Sequence, residues 1–302
     1  MEEKRGLVLV LFAAIVSGFS IFINSYGVKG FDSSVFTFSK NIIVAVLLLA
    51  VILGLGKFSE LKKMSKKNWL QLSLIGLVGG SIPFLLFFKG LQMTNSSTSA
   101  FIHKTMFLFV AVMAIIFLKE KLSKPVIIGA MFLLAGTYFM IRPDFNFSLA
   151  HLLILSATIL WAAENIISKY VLKELSGTIV AFGRMFFGAG FILLFLVFTD
   201  KSSLIFAINF SQLLWIIITS TSLFLFVFSY YNGLKTVKAT TAASILVLGA
   251  PITSLLQLVF QNIALSIGDI FGIIFICSGT ILIIWFTSIS RLIANVRQSE
   301  RN

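Results

Sequence analysis

Charge is scarce in this chain. Lys, Arg, Asp and Glu make up 12% of its 302 residues, where a soluble domain carries about a quarter, so there is too little polar surface for a water-facing exterior. Acid is scarcer still: 11 Asp and Glu against 24 Lys and Arg leave a net charge of +13. Such a balance can serve nucleic acid. Here, however, the basic residues fall in short loops between apolar runs, where membrane topology accounts for them, and no nucleic-acid partner is expected. The single cysteine, Cys277, excludes an internal disulfide and, inside an apolar run, a thiolate metal site. There are two His in all, no HExxH, no GKS/T phosphate loop and no GxGxxG followed by an acid. Metal, ATP-motor and dinucleotide chemistry therefore have no signature, and no cofactor is expected. Met1 to Arg5 leads into an apolar run lasting to about Tyr26 without a small-residue cleavage pattern, so a cleaved signal is not expected either.

What the chain has instead is length of apolar sequence. It is 58% hydrophobic with 33 Phe and a mean hydropathy of +1.04. Ten runs are long enough to cross a bilayer, at about 6–26, 34–56, 68–88, 96–118, 125–141, 148–170, 179–199, 210–232, 238–260 and 267–289. The lipid bilayer is thus the first partner. With the N-terminus inside, Lys4, Arg5, Lys57, Lys62, Lys63, Lys66, Lys67, Lys119, Lys121, Lys124, Lys169, Lys173, Lys235, Lys238, Arg291, Arg297 and Arg301 face the cytoplasm. Those are seventeen, against four outside: Lys29, Lys89, Arg142 and Lys201. Both termini are expected in the cytoplasm, in the plasma membrane.

The chain also repeats itself. Phe88–Thr137 shifted by 143 falls on Tyr231–Thr280 without a gap, with thirteen of fifty positions identical, among them Gly90/Gly233, Thr98/Thr241, Gly129/Gly272 and Gly136/Gly279. Upstream the offset is 144, which sets Lys40 on Arg184 and Tyr26 on Tyr170. Five spans per half is an odd number, so the second half enters the membrane in the opposite sense. The expected fold is an all-α polytopic membrane protein of ten helices in two inverted five-helix repeats, 1–145 and 146–290, with a basic tail at 291–302. The Gly-rich fifth and tenth spans pack either against each other or against a second copy, which leaves a homodimer open.

Three stretches suggest a family. FLKEKLSKPVIIGAMFLLAGTYFM (117–140), GAPITSLLQLVFQ (249–261) and LWAAENIISKY (160–170) resemble the EamA-type permeases of the drug/metabolite transporter superfamily, ten-helix proteins of two inverted repeats. The resemblance covers nearly the whole chain and implies a permease, more commonly an exporter, of no particular cargo. The halves differ in detail: Leu108 stands opposite Pro251, Ile263 opposite Glu120 and Ser17 opposite Trp161. The ninth helix is expected to break and the fourth is not.

A polar side chain inside a span is costly unless paired or hydrated, so such residues are the site candidates. His103 and Lys104 lie well inside the fourth span, with Ser99 on the same face as His103, and read as cavity lining. His103 is also a proton-relay candidate, since imidazole titrates near neutrality. The alternative is a His bonded to a neighbouring helix and a Lys paired with Glu164. Lys40 and Arg184 occupy equivalent repeat positions, either meeting an anionic substrate or snorkelling to headgroups. Glu164, the acid well inside a span, shares a helix face with Trp161, Asn165 and Ser168. It is a proton-coupling candidate or a structural counter-ion for Lys104 or Lys169. Asn24 belongs to the matching face of the first helix, and Tyr230 is a further hydrogen-bonding candidate. Pro83, with Gly76, Gly79 and Gly80, and Pro251 are expected helix breaks whose freed carbonyls can line a site.

The expected function is secondary transport of a small polar or amphipathic metabolite, carrying a carboxylate or other anionic group, by alternating access with possible proton coupling. A lipid-linked-substrate flippase is the alternative. A membrane enzyme is the less favoured one, because no third group orients His103 or Ser99 as base and nucleophile.

Overall fold

The computed structural model describes residues 2–27, 31–91, 93, 96–142 and 148–299. Among the described residues, ten helical segments are of membrane length: α1 (Glu2–Asn24), α2 (Ser33–Gly54), α3 (Lys66–Gly90), α4 (Ala100–Leu118), α5 (Lys124–Ile141), α6 (Leu149–Val171), α7 (Gly177–Phe198), α8 (Phe210–Thr236), α9 (Ala239–Gln261) and α10 (Ile267–Phe286). They are helical because lipid offers the backbone no partner, and each segment must satisfy its own N–H and C=O groups. A five-residue helix, Phe58–Lys62, fills the basic hairpin between α2 and α3.

Helix pairing follows a two-fold rule. α1 packs on α8 and α3 on α6, while α2 meets α7 and α5 meets α10, which is the pattern an inverted repeat generates. Lipid does not drive helices together by the hydrophobic effect, so small residues that allow close approach carry these contacts. A Cβ at Gly129 would lie 2.9 Å from the Gly279 carbonyl, and one at Gly136 would lie 2.8 Å from that of Gly272. Gly129 and Gly136 are the repeat counterparts of Gly272 and Gly279, so the pair of contacts maps onto itself. Gly90 on the Ala150 carbonyl and Gly233 on that of Gly6, each at 2.8 Å, form a second such pair. The α5 and α10 glycine faces thus meet within one chain, the first of the two alternatives.

The repeats differ in one residue of length, and the structure locates it. Ser65 and Asn68 form a capping box at the start of α3, and Asn209 and Gln212 form one at the start of α8, still at offset 144. By Gly90/Gly233 the offset is 143. The extra residue lies between, where Gly76–Ser81 is a π-helix and α8 is an unbroken α-helix. A single inserted residue absorbed without ending the helix is what a π segment is.

The fourth span departs from expectation. It is interrupted, as the ninth is: helix Ser96–Lys104 gives way at Thr105 to Met106–Leu118, and α9 passes through a 3-10 turn at Leu246–Leu248. The Thr105 hydroxyl donates to the Ile102 carbonyl at 2.6 Å and competes with the helical N–H for it. Thr105 and Leu248 are 143 apart, so the break is shared, and Pro251 is not what causes it in both halves. Both segments also end alike, on the left-handed residues Lys119 and Asn262, φ 54° each.

At the far end of the bundle Lys201 donates to Asp32 at 2.7 Å, joining the α7–α8 loop to the N-cap of α2. Burial pushes the Asp32 carboxyl up. The hydrogen bond from Lys201 and the N–H groups of Ser34 and Val35 outweigh that and hold it below its ordinary 3.8.

Two outcomes follow from this packing. Gly136→Ile drives a side chain into the Gly272 backbone and is expected to cost roughly 1–3 kcal/mol, lowering Tm in detergent. Gly190→Ala, whose Cβ meets nothing within 4 Å, should not lower Tm and should raise it slightly, by the helix preference of Ala over Gly. Because the folded carboxyl binds its proton more weakly than the unfolded one, the Asp32–Lys201 contribution is present above pH 3.8 and lost as pH falls below it. Tm measured against pH should therefore show wild type losing its advantage over Lys201→Met in that acidic range.

Candidate functional site

Pro83 has no N–H, so the carbonyl four residues back, that of Gly79, lacks a helical donor. The π segment around it turns Gly79 and Gly80 toward the second half. Trp161 Nε1 of α6 and Arg184 Nη2 of α7 both donate to the Gly79 carbonyl at 3.0 Å. Asn41 Nδ2 of α2 donates to that of Gly80, also at 3.0 Å. Two freed carbonyls thus collect one side chain each from three helices, spanning both repeats.

Glu164 lies three residues beyond Trp161 on the same face of α6. A Cβ at Gly79 would sit 2.3 Å from Glu164 Cγ and 3.2 Å from Arg184 Nε, so the absent side chain is the space the acid and the guanidinium share. Glu164 Oε1 accepts from Ser168 Oγ at 2.5 Å and from the Tyr231 hydroxyl at 2.6 Å. Tyr230 donates to Asn165 Oδ1, and Asn165 Nδ2 donates to the Trp161 carbonyl at 2.8 Å. All of these residues are buried, and Arg184 Nε has no hydrogen-bond partner.

Above the polar cluster lies an aromatic layer. The Trp161 ring meets His103 at 5.0 Å, Phe84 at 5.2 Å and Phe87 at 5.6 Å between centroids, mostly edge to face. The Arg184 guanidinium stands 5.8 Å from the Phe84 centroid. Trp161 is therefore the hub that brings His103, Glu164, Asn165, Arg184 and Tyr230 into one site between α3, α6, α7, α8 and the Ser96–Lys104 helix.

Lys40 and Asn24 are elsewhere, between α2 and α1. Lys40 Nζ donates to Asn24 Oδ1 at 2.7 Å and lies 4.8 Å from the Phe36 ring centroid. Asn24 Nδ2 donates to the Ser20 carbonyl at 2.7 Å and to Ser20 Oγ at 3.1 Å. Lys104 follows His103 and is half-buried. Ser99 falls outside the residues whose side chains are described.

Neither proposed ion pair of Glu164 forms. Its carboxylate is engaged by Ser168 and Tyr231, while Lys169 donates to the carbonyls of Leu234 and Val237 at 2.6 and 2.7 Å, capping the end of α8. Tyr231, like Tyr230 a residue that can hydrogen-bond cargo or tie helices together, joins the site because the fold carries α8 against α6. Gly79 had a usable signal in its place four residues before Pro83. Glu120, read only as part of a resembling stretch, caps the start of α9: its carboxylate accepts from the N–H of Ala239 at 2.8 Å and from the hydroxyl of Thr240 at 2.8 Å. Pro251 is buried in α9 with Gly249 against α1, where Thr253 donates to the Gly18 carbonyl at 2.9 Å.

Comparison with known proteins bears on both halves. The profile of the EamA-like transporter family matches residues 4–142 and again 148–285. The chain belongs to the EamA-like transporter family. It is 26% identical over 130 residues to an uncharacterized transporter in cobO 3'region of Sinorhizobium sp, covering 43% of this chain and 89% of that protein. It is 25% identical to the uncharacterized transporter YyaM of Bacillus subtilis (strain 168), over 67% of this chain and 68% of the other. With an uncharacterized transporter of Clostridium kluyveri it shares 23% identity over 80% of each chain. A solved crystal structure at 15% identity superposes with a TM-score of 0.79, covering 92% of this chain and 96% of that one, and shows the same fold. The protein is thus a multi-pass membrane transporter of the drug/metabolite superfamily.

In this EamA-like transporter the Gly79 carbonyl is the joint between halves, and its donors can be removed separately. Trp161→Phe keeps an aromatic ring at the hub and deletes one hydrogen bond, an expected loss in detergent stability of at least about 0.5–1.5 kcal/mol, with Arg184 still in place. Gly79→Val should be far worse and displace Glu164, because its Cβ would lie 2.3 Å from Glu164 Cγ. Equal losses from the two variants would show that the close approach at Gly79 is not what builds the site.

Proposed function

We propose that the protein is a secondary active transporter that exports a small polar or amphipathic metabolite bearing a carboxylate or other anionic group. It works by alternating access between repeats 1–145 and 146–290, with the basic 291–302 tail and both termini in the cytoplasm of the plasma membrane. The observation that carries the reading is the buried Glu164 carboxylate, held by Tyr231 and Ser168 beside Arg184 at the junction of the halves. An acid there can exchange a proton as the halves reorient. Among the described residues the charged and titratable groups facing it are Arg184 from α7 and Tyr230 and Tyr231 from α8, and α3 presents the Gly79 backbone. His103, against Trp161, is the second proton-relay candidate. Lys40, His103, Lys104 and Arg184 outnumber Glu164 within the spans, which favours an anionic cargo over a cationic drug. Transport without catalysis at a substrate bond makes the protein no enzyme.

One observation supports a second reading. An apolar recess of about 510 Å³ between the Ser96–Lys104 helix and α5, lined by Phe101, Met131, Leu134, Ala135, Tyr138 and Phe139, would suit the lipid tail of a flippase substrate.

Proton release on ligand addition to purified wild type and Glu164→Gln, across organic acids, amino acids and phosphorylated metabolites, tests the main reading. Wild type should release protons with the cargo, and the variant should bind the same cargo with none released. Binding with equal release in both would make Glu164 structural and leave His103 as the relay. Proteoliposome uptake of lipophilic cations alone would overturn the anionic preference. Silence across the panel, with lipid scrambling in the same vesicles, would favour the flippase.

A further inference from the structure

The two repeats hold equivalent cations in unequal surroundings. Arg184 has the Gly79 carbonyl as acceptor and the Glu164 carboxylate beside it. Lys40, its counterpart at offset 144, is 9% exposed, and among the described residues its ammonium has one acceptor, Asn24 Oδ1. An ammonium carries three N–H donors; beside Asn24 it has the Phe36 ring, 4.8 Å from its centroid, and no counter-charge among the described residues, and a desolvated cation without a counter-charge is costly inside a membrane protein.

What is missing can be read from the other half. Offset 144 sets Ser20 on Glu164 and Asn24 on Ser168. The local wiring is kept: Ser168 donates to the side chain of Glu164, and Asn24 donates to that of Ser20. Only the carboxylate is gone, replaced by a hydroxyl several atoms shorter. The α8 wall differs in the same sense. The stretch matching the π segment, around Ser220 to Phe224, has no freed carbonyl, because α8 is regular and lacks the inserted residue. Among the described residues the hydroxyls of Ser220 and Ser222 there are buried without partners, and α8 packs on both α1 and α2. One half brings its own acid to its cation. The other brings a cation, hydroxyl donors and no acid.

We infer that Lys40 and Ser20, on the α1–α2 side that packs on α8, form the subsite for a carboxylate of the cargo, which takes the place that Glu164 fills in the second half. The inference rests on the transporter reading above and names the group of the cargo that this region holds. It also separates roles: Lys40 binds substrate, while Arg184, held on the Gly79 carbonyl with Glu164 beside it, positions Glu164.

The test is ligand-induced stabilisation of the full-length protein in detergent, using sodium salts of monocarboxylates from acetate to benzoate and their neutral amides at matched ionic strength. Wild type and Lys40→Arg should gain Tm with carboxylates and not with amides. Lys40→Met should bind at least about tenfold more weakly, the worth of one lost charge-assisted hydrogen bond. Ser20→Glu installs the internal carboxylate, so it should raise the Tm of the ligand-free protein and abolish the ligand shift, a result that misfolding cannot imitate. Glu164→Gln should keep the carboxylate shift while losing proton release. Carboxylates and amides acting alike, or an unchanged shift in Lys40→Met and Ser20→Glu, would overturn the subsite. So would stabilisation by anionic lipid in place of carboxylate. Loss of the shift only in Glu164→Gln would move the cargo to the second half and leave the transporter reading standing. That reading fails separately, if proteoliposomes move no organic solute at all.

Discussion

Two backbone carbonyls organise this membrane protein. Pro83 cannot donate to the carbonyl of Gly79, and Gly79 and Gly80 lie in the π segment just before it. In lipid an unpaired carbonyl costs several kcal/mol, so partners must come from other helices. They come as Trp161, Arg184 and Asn41, from α6, α7 and α2. Once Trp161 and Arg184 are pinned, the faces they belong to are pinned as well. Glu164 is then placed over Gly79, within reach of Tyr231, and the aromatic layer closes above it. A local defect in one helix thereby sets the junction of two repeats.

The same defect breaks the symmetry of the fold. Inverted repeats of identical sequence would have two identical half-sites. One inserted residue in α3, with Glu164 against Ser20 and Tyr231 against Phe88, gives one half-site an acid beside its cation and leaves the other short of a counter-charge. Elsewhere the two-fold relation survives closely, as in the reciprocal glycine contacts of α5 and α10 and the matching breaks of α4 and α9. Close backbone packing tolerates little divergence, because a single Cβ at those glycines would enter another helix's backbone. Polar side chains are freer to diverge, since each needs only a partner of suitable chemistry.

Much of the fold was legible because its determinants are local. Apolar runs of bilayer length fixed ten spans, and the 143-residue register exposed the repeat before any contact was known. Pro83 and its glycines marked the third helix for a break, and Glu164, Trp161 and Asn165 stood out on one helical face. The partners were not legible. Lys104 and Lys169 were plausible counter-ions for Glu164 by charge and spacing, yet the acid is bound by hydroxyls from Ser168 and Tyr231. The fourth helix carries no proline to signal a break, yet it is interrupted at Thr105.

The sequence by itself determined a ten-helix membrane protein of two opposed halves, the helix faces that carry polar groups, and a one-residue difference between the repeats. Hydrophobic length and periodicity are properties of the chain alone, and they survive whatever the helices do next. Only the tertiary structure decided that the extra residue is a π segment, that its carbonyls bind Trp161, Arg184 and Asn41, and that Glu164 faces Tyr231 while Lys40 faces Asn24. Those choices depend on distances between helices far apart in sequence, where a few tenths of an ångström at a glycine select which side chains can meet.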